Sequence, residues 1–279
     1  MKNIVLFMMT YILVFNMTFA KAVDQESERQ ELSFGVVPQQ AASKLARLWT
    51  PILGYLSDRC GYQLQFKTAP NIPSFEKRVA AGEYDLAYMN PYHYTVFHRS
   101  PGYQAIAKQK DKNIQGIIVV HQDSPLQNLS ELAGKTLAFP APAAFAASIL
   151  PRAYLKKNGI TITPKYVSSH DSVYMTIAKK LYPAGGGIMR TLNNVNPTIR
   201  DQLRILWTSQ AYTPHAIASH PRISAEMVKK ITQAMQNMHN DPKGLKLLEN
   251  INFIGIESAQ DADWDDIRGL QIELLDDLQ

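Results

Sequence analysis

Short apolar runs alternate with longer amphipathic segments over the first part of the chain. Residues 32–37 form an apolar run typical of a buried strand, and the stripe after it has the i, i+3, i+4 spacing of a helix. Pro51 inside this stripe predicts a kink or a restart, and Gly61 is expected to end the helix. Residues 62–66 and 84–89 predict two further strands. The helical stripe consists of Leu45, Leu48, Trp49, Ile52, Leu53 and Leu56.

Helices are expected between and after these strands. A short helix is predicted over residues 74–81 and ends at Gly82, and a second one starts at Asn90 and Pro91 and continues through residue 98. Strands that alternate with helices in this way predict a mainly parallel sheet with right-handed crossovers. The fold class is therefore α/β.

The alternation resumes after Asn113. Residues 114–120 are apolar enough for a central strand, and either 160–162 or 165–167 supplies another strand. A helix is expected to run from the loop after Pro142 to Asn158, with Gly159 at its end. The remaining segments are predicted as one helical turn (129–133), a strand (135–139), a helix (170–180), a glycine-rich strand or turn (184–188) and a strand that begins a return crossing (203–207).

Two further helices are predicted near the C-terminus. Ser224 is a good N-cap for a helix whose apolar stripe contains three methionines, which we interpret as core residues. Residues 261–279 are expected to form an acidic segment that ends in a final helix. The first helix would bury Met227, Ile231, Met235 and Met238, and the last would dock through Trp264, Ile267, Leu270 and Leu274.

The first 22 residues have the character of a secretory signal peptide. Lys2 precedes the apolar run 4–15, and small residues at Ala20 and Ala22 provide a cleavage site. An uncleaved membrane anchor is the alternative, although the run is short for a membrane span. Export of the remaining chain by a cleaved signal peptide is the prediction.

Composition excludes several classes of protein. The chain has 279 residues, of which 46% are hydrophobic and 19% are charged, so it can bury a large core and is not expected to be disordered. The net charge of +5 is not clustered, and we therefore expect no nucleic-acid partner. The single cysteine, Cys60, excludes an internal disulfide and a cysteine-based zinc site.

The sequence shows no set of residues typical of an enzyme active site. His93 and His98 are five positions apart, off one helical face, and have no convincing carboxylate partner in the sequence, so no metal site is predicted. Gly185, Gly186 and Gly187 are not followed by Lys and Ser/Thr, and we attribute them to a tight turn or to close backbone approach to a ligand. We expect a protein that is not an enzyme and needs no cofactor.

Several short segments are spread in a fixed order along the chain: 34–38, 49–53, 82–91, 123–125, 129–139, Pro151 with Gly159 and Ile160, His170 with Asp171 and Val173, and Ala184 with Gly185. In their order and spacing these segments resemble the phosphonate-binding family of periplasmic solute receptors of ABC importers. The resemblance implies two α/β lobes with mixed sheets flanked by helices, the type II periplasmic binding protein fold, with a hinge of two strands crossing near residues 117–121 and 207–216. The lobes would comprise residues 32–116 plus 216–279 and residues 117–215.

The resemblance also implies a role and partners. A member of this family is a periplasmic receptor that captures a small molecule between its lobes and hands it to an ABC permease, and we expect it to be a monomer. A sensory subunit that presents its ligand-bound form to a membrane histidine kinase is the alternative. The two roles share the fold and differ only in the membrane partner.

The sequence departs from the family at the positions that would bind a phosphonate. Members of the family usually place a Ser-Thr-Ser run and a glycine where this chain has residues 144–147, which are Ala, Phe, Ala and Ala. Pro183, Arg190 and His215 stand where acidic residues would hold an ammonium group. Aminoethylphosphonate is therefore a poor candidate ligand, and an oxyanion or carboxylate that uses Arg190 is favoured.

The predicted ligand-binding residues combine the helix starts beyond the strand ends with these replacements. For some of them a structural role remains open: a surface charge for Arg190, core packing for Phe145, a position beside a helix cap for His170 and a hinge contact for His215. The full set is Gln39, Tyr88, Asn90, Tyr92, Ala144, Phe145, Ala146, His170, Arg190 and His215.

Overall fold

The computed structural model describes residues 29–278, so the predicted signal peptide lies outside the described residues. Two mixed β-sheets organise this part of the chain. The strands are β1 (Glu31–Val36), β2 (Gln63–Lys67), β3 (Leu86–Met89), β4 (Gln104–Gln109), β5 (Gly116–His121), β6 (Thr136–Phe139), β7 (Thr163–Tyr166), β8 (Ala184–Ile188), β9 (Leu203–Thr208), β10 (Ala216–Ser219) and β11 (Ile256–Ser258).

Helices cover the faces of both sheets. The first helix continues through Pro51 without the restart that was one of the two expectations there, and Gly61 ends it with a φ of 80°. In chain order the helices are α1 (Ala42–Cys60), α2 (Ile72–Ala80), α3 (Pro91–Arg99), α4 (Leu150–Lys157), α5 (His170–Ala178), α6 (Met189–Asn193), α7 (Pro197–Arg200), α8 (Ala225–Asn237), α9 (Pro242–Glu249) and α10 (Asp265–Arg268). Shorter 3-10 turns occur at Leu129–Leu132, Met238–Asn240, Asp261–Trp264 and Asp276–Leu278, and a π-helical turn occurs at Phe145–Ile149.

The first lobe is built on six strands in the order β11-β4-β10-β3-β1-β2. β1 pairs in parallel with β2 and β3, whereas β10 and β11 enter antiparallel. The prediction of a mainly parallel sheet was therefore wrong, because β10 belongs to the chain returning from the second lobe. β4 and β11 were also missed.

The second lobe is built on five strands in the order β7-β6-β8-β5-β9. β5 is apolar because both of its faces are buried: Ile117 and Val119 pack under α5, and Ile118 and Val120 contribute to the cluster that contains Leu155 of α4. β5 pairs antiparallel with β8 and β9 on its two sides. The strand predicted at residues 114–120 is thus β5, a central strand of this lobe.

The chain crosses between the sheets twice, between β4 and β5 and between β9 and β10. These crossing segments, residues 110–115 and 209–215, pair through Ile114 and Tyr212, which exchange backbone hydrogen bonds of 2.8 and 2.9 Å. The predicted first crossing at 117–121 was wrong, since those residues lie within β5. The first crossing is therefore one segment earlier than expected, whereas the return crossing at 209–215 lies within the expected range 207–216.

The C-terminal segment is not the single helix that its apolar residues predicted. Trp264 and Ile267 are buried as expected, but the helix ends at Arg268. Leu270 is 37% exposed and Leu274 is 52% exposed, so neither docks the segment. Leu275 is buried instead, and its backbone N–H donates to the Tyr92 hydroxyl at 2.9 Å.

Candidate functional site

Two neighbouring cavities lie between the lobes. The inner cavity has about 10 Å³ of space open to the centre of a water molecule, and the hinge cavity, next to the crossing segments, has about 350 Å³. Ile114, Ile188 and His215 line both. The predicted residues on the inner cavity are Gln39, Asn90, Ala144, Phe145, Ala146, His170 and His215, and those on the hinge cavity are Tyr88, Arg190 and His215.

Tyr92 is the predicted ligand residue that the structure does not place at either cavity. Its side chain is buried, and its hydroxyl accepts the hydrogen bond from Leu275 in the C-terminal segment. Its helix was predicted correctly, but this side chain is directed to a different part of the first lobe. Asn90, two positions earlier, caps α3 by accepting from the His93 N–H and donates across the lobes to the Ala143 carbonyl at 3.1 Å.

Gln39 connects Arg190 with His215. Gln39 follows the end of β1, Arg190 lies in α6 just beyond the end of β8, and His215 immediately precedes β10. The Arg190 guanidinium donates to the Gln39 amide oxygen, and the Gln39 amide nitrogen lies 3.0 Å from His215 Nε2. His215 stacks on Tyr88 with ring centroids 5.0 Å apart, and the Arg190 guanidinium carbon is 5.8 Å from the centroid of the Tyr88 ring. Three strand ends therefore converge on one polar cluster.

Burial keeps both cleft imidazoles neutral. Desolvation, followed by the positive charge of Arg190, lowers the pKa of His170 to about 3. The same two causes, in the same order, hold the pKa of His215 well below its usual 6.5. His215 is therefore a neutral imidazole in this conformation, and Arg190 carries the positive charge of the cluster.

His170 begins α5, where Ser169 caps the helix by accepting from the Ser172 N–H. Its backbone N–H donates across the lobes to the Gln39 carbonyl at 2.9 Å, and its Nδ1 lies 3.0 Å from the Thr191 hydroxyl. Its side chain is almost completely buried, with 1% exposure, and Nε2 has no hydrogen-bond partner. This is an unsatisfied polar atom on the wall of the inner cavity.

The segment that replaces the family's hydroxyl run is apolar and closely packed. The helix expected after Pro142 starts as the π-helical turn Phe145–Ile149, without a side-chain cap. Phe145 is 1% exposed and meets Tyr212 edge to face at 5.5 Å. Residues of this turn belong to the same apolar cluster as the core of the first lobe, so Phe145 has the structural role that was left open as well as a place on the cavity wall.

The glycines of β8 make room for the protein's own helices. A Cβ atom on Gly186 would lie 1.9 Å from the Ala147 carbonyl oxygen, and one on Gly187 would lie 2.3 Å from the Tyr174 hydroxyl. The close backbone approach predicted for these glycines is thus real, but its partners are the π-helical turn and α5. Approach to a ligand was the wrong interpretation.

Further polar contacts hold the lobes together on the α1 side. The Asp171 carboxylate accepts from the Gln40 amide at 3.3 Å and from the Ala41 N–H at 3.4 Å. Lys44 donates to the Asn194 carbonyl, and the Asn252 amide donates to the Asn194 side-chain oxygen at 2.7 Å. The structure therefore shows the lobes in contact around a narrow cleft.

The hinge cavity contains polar residues that the sequence did not single out. Its lining includes Arg190 and Lys112 and no Asp or Glu. The first crossing segment contributes several of the missed residues, and placing the crossing at 110–115 would have identified them. The missed polar residues are Gln109, Lys112, Asn113, Gln115, Asn193 and Asn252.

Other candidate chemistry lies outside the cleft. His93 and His98 do have carboxylate partners, Glu76 at 2.9 Å and Asp261 at 3.3 Å, so the prediction that they lack one was wrong. Among residues 29–278, no group of three or more His, Cys, Asp or Glu side chains could hold a metal ion. The same range contains no helix that is long and apolar enough to cross a membrane. Burial raises the pKa of the Cys60 thiol, which makes it a poor nucleophile.

The fold and cleft define a two-lobe solute-binding protein, and comparisons with known proteins agree. A model of the family described as "ABC transporter, phosphonate, periplasmic substrate-binding protein" matches residues 34–264. The Phosphate-import protein PhnD of Mycolicibacterium smegmatis is 21% identical over 86% of this chain and 84% of its own length. The Phosphonates-binding periplasmic protein of Escherichia coli is 21% identical over 91% of this chain and 80% of its own.

Solved structures show the same fold. A binding protein component of an ABC phosphonate transporter from Pseudomonas aeruginosa superposes with a TM-score of 0.80 at 16% identity, covering 88% of this chain and 86% of that protein. PhnD1 from Prochlorococcus marinus, solved in complex with methylphosphonate, superposes with a TM-score of 0.78 at 16% identity. The match covers 86% of this chain and 97% of that protein. The chain belongs to the phosphonate-binding family of periplasmic substrate-binding proteins of ABC transporters. The alternative of a sensory subunit gains no support from these relatives.

Proposed function

We propose that this receptor captures a small organic anion in the hinge cavity and delivers it unchanged to its ABC permease. On this proposal residues 32–116 plus 216–279 and residues 117–215 move as two lobes about the crossing segments. The anion binds to Arg190 on the second lobe, and Tyr88 and His215 form the facing wall. Closure of the lobes would shield the anion from water before delivery.

One observation carries this proposal: Arg190 lines a cavity that contains no acidic side chain. The guanidinium has five N–H donors, and the contact with Gln39 leaves most of them for a ligand. A carboxylate or oxyanion matches the planar fork of these donors. The volume of about 350 Å³ also falls in the range of small-molecule sites, about 300–1,000 Å³.

The names of the relatives make phosphate and phosphonates the first alternatives. In this chain, however, Ala144, Phe145 and Ala146 offer no side-chain donors, and the inner cavity beside them has only about 10 Å³. A tetrahedral anion would need more room and more donors than this turn supplies. We therefore place the anion at Arg190, away from the turn that carries hydroxyl groups in other family members.

The remaining parts of the proposal follow from the family role. The chain reaches the periplasm by cleavage of residues 1–22, acts as a monomer and performs no chemistry on its ligand. Among residues 29–278, the one hydroxyl that meets these groups, Thr191 Oγ1 at 3.0 Å from His170 Nδ1, is fully buried and lines neither cavity, and Arg190 and His215 both contact the Gln39 amide, which accords with binding and release.

The test is to identify the natural ligand and measure closure. Protein purified from its own periplasm should carry a small organic anion in native mass spectrometry. Returning that anion to stripped protein at a hundredfold excess over its Kd should stabilise the fold by about 2.7 kcal/mol. Small-angle scattering should show a smaller radius of gyration. A bound ligand that is neutral or cationic, or one that changes neither the melting temperature nor the radius, would contradict the proposal.

A further inference from the structure

The cleft contains hydrogen-bond acceptors that a simple anion cannot use. His170 Nε2 is buried without a partner on the inner cavity, and side-chain amides surround the hinge cavity next to it. An anion brings acceptors and satisfies Arg190, but it brings no donor for these atoms. A ligand that also carries a hydrogen-bond donor would satisfy them.

The position of the proton on His170 decides what Nε2 can do. Four contacts of 2.8–3.1 Å connect His170 Nδ1, the Thr191 hydroxyl, the Tyr174 hydroxyl and the Ile188 carbonyl oxygen. The two hydroxyl groups bring only two protons to these four contacts. A proton on Nδ1 supplies a third, whereas a lone pair there would leave two contacts between oxygen atoms without a hydrogen. The geometry therefore places the proton of the neutral ring on Nδ1.

Nε2 of His170 consequently carries a lone pair and can accept a hydrogen bond. It faces a space of about 10 Å³, which is enough for one water-sized group. A single hydroxyl group satisfies both conditions, because it is small and can donate. The acidic end of the ligand would remain in the larger cavity beside Arg190.

Amide oxygens offer further acceptors in the hinge cavity. The amide nitrogens of Gln109, Gln115 and Asn252 donate to the protein, to Asn252 O at 2.9 Å, Ser209 O at 2.9 Å and Asn194 Oδ1 at 2.7 Å. Their side-chain oxygens keep the capacity to accept. An ammonium group could donate to them, but neither cavity is lined by an Asp or Glu that would balance its charge. Neutral hydroxyl groups fit better.

We propose that the ligand is a hydroxylated organic anion, held by its acid group at Arg190 and recognised through hydroxyl groups that donate to His170 Nε2 and to the amide oxygens of the hinge cavity. This proposal rests on the proposed function, because it assumes that an anion binds at Arg190. It makes His170 a residue that determines specificity for hydroxylated over plain anions.

Matched pairs of anions test the inference by calorimetry. Glycerate against propionate gives the comparison for carboxylates, and glycerol 3-phosphate against propyl phosphate gives it for phosphate esters. In at least one pair we expect the hydroxylated member to bind at least about tenfold more tightly, which corresponds to about 1.4 kcal/mol. Equal binding within both pairs would overturn this inference and leave the proposed function standing. Binding of glycerol but of none of the four anions would overturn the proposed function, and this inference with it.

Variants and spectroscopy separate recognition from folding. His170→Leu should remove most of the preference within the pair, and Gln115→Ala, which removes one of the amide oxygens of the hinge cavity, should reduce it in part. Asn250→Ala, an exposed amide outside both cavities, is the matched control and should have no effect. Long-range proton–nitrogen spectra of the unaltered protein should show the His170 proton on Nδ1 at pH 7, and a proton on Nε2 would overturn the inference even if His170→Leu does not fold.

Discussion

The side-chain amide nitrogen of Gln39 donates to Nε2 of His215 across 3.0 Å. The direction of this bond is fixed because the Gln39 amide oxygen faces the Arg190 guanidinium, which can only donate. His215 Nε2 must then be a lone pair, and the ring is neutral. A protonated His215 would bring two donors face to face, so the charge state of one residue is coupled to the closed arrangement of the cleft.

Acidification should weaken the closed, folded protein in a window set by His170 and His215. Both pKa values are lowered, by desolvation and by Arg190, so the folded form does not take up the protons that an unfolded chain binds below about pH 6.5. The contribution to stability is complete above pH 6.5 and falls as the pH decreases, by about 1.4 kcal/mol per pH unit for each histidine. Urea titrations between pH 7 and pH 4.5 would measure this slope.

Carboxylates affect the stability of the fold in a separate window, at lower pH. Burial alone would raise the pKa of Asp85, but hydrogen bonds from Ser33 and Arg222 outweigh it and lower the pKa below its usual 3.8. The double variant His170→Gln, His215→Gln should therefore flatten the slope above pH 4.5. An unchanged slope in the double variant would mean that these imidazoles are not buried in solution.

Arg190→Ala should weaken binding of the anionic ligand without unfolding the protein. Loss of a charge-assisted hydrogen bond is worth about 1.5–3 kcal/mol, or about 10- to 150-fold in affinity. Arg190→Lys should recover only part of this, because an ammonium group cannot reproduce the bidentate fork. The charge-assisted bond to Gln39 is also lost, so the unliganded protein should lose at most about 3 kcal/mol of stability and remain folded.

The comparison of affinity with melting temperature decides the role of Arg190. Arg200→Ala removes a guanidinium from the surface of the second lobe, where it pairs with Asp201, and should change neither quantity. If Arg190→Ala lowers the melting temperature but leaves the affinity unchanged, Arg190 is structural and the anion site is elsewhere.

The spacing of hydrophobic residues in the sequence was sufficient to predict the helices and strands that have a clear burial pattern. The stripe of α1 and the methionines of α8 and the following turn are buried as predicted. β4, with the sequence Gln-Ala-Ile-Ala-Lys-Gln, was missed because its ends are polar and its apolar residues are small. The C-terminal helix failed because apolar spacing at Leu270 and Leu274 does not require burial when no surface is available to receive them.

The grouping of residues at the cleft could be predicted to the extent that it follows from the ends of strands and helices. Gln39, His170, Arg190 and His215 meet because β1 and β8 end at the cleft and α5 and β10 begin there, and the resemblance to the family supplied their register. The amides of the hinge cavity could not be predicted, since they depend on where the chain crosses between lobes. The orientation of the Tyr92 side chain could not be predicted either, because its hydroxyl bonds to the backbone of Leu275, which is far away in sequence.

Phosphate, phosphite and aminoethylphosphonate should bind weakly, with dissociation constants above the micromolar range. Three oxyanion oxygens need several donors, and Ala144, Phe145 and Ala146 leave only backbone N–H groups at the π-helical turn. The pocket beside the turn is also too small, at about 10 Å³. Calorimetry with each anion would check this, using the natural ligand as the positive control. Micromolar binding of any of the three would show that backbone donors and a wider cleft are sufficient.

Gly186→Ala and Gly54→Ala should change stability in opposite directions. A Cβ atom on Gly186 would lie 1.9 Å from the Ala147 carbonyl oxygen, so β8 and the π-helical turn would have to separate, at a cost of at least about 3 kcal/mol. Gly54 lies inside α1 with no atom within 4 Å of a new Cβ, so alanine there should stabilise the protein by about 0.5–1 kcal/mol. Denaturant unfolding of both variants at pH 7 gives the comparison. A loss below about 1 kcal/mol for Gly186→Ala would mean that the turn is not packed against β8 in solution.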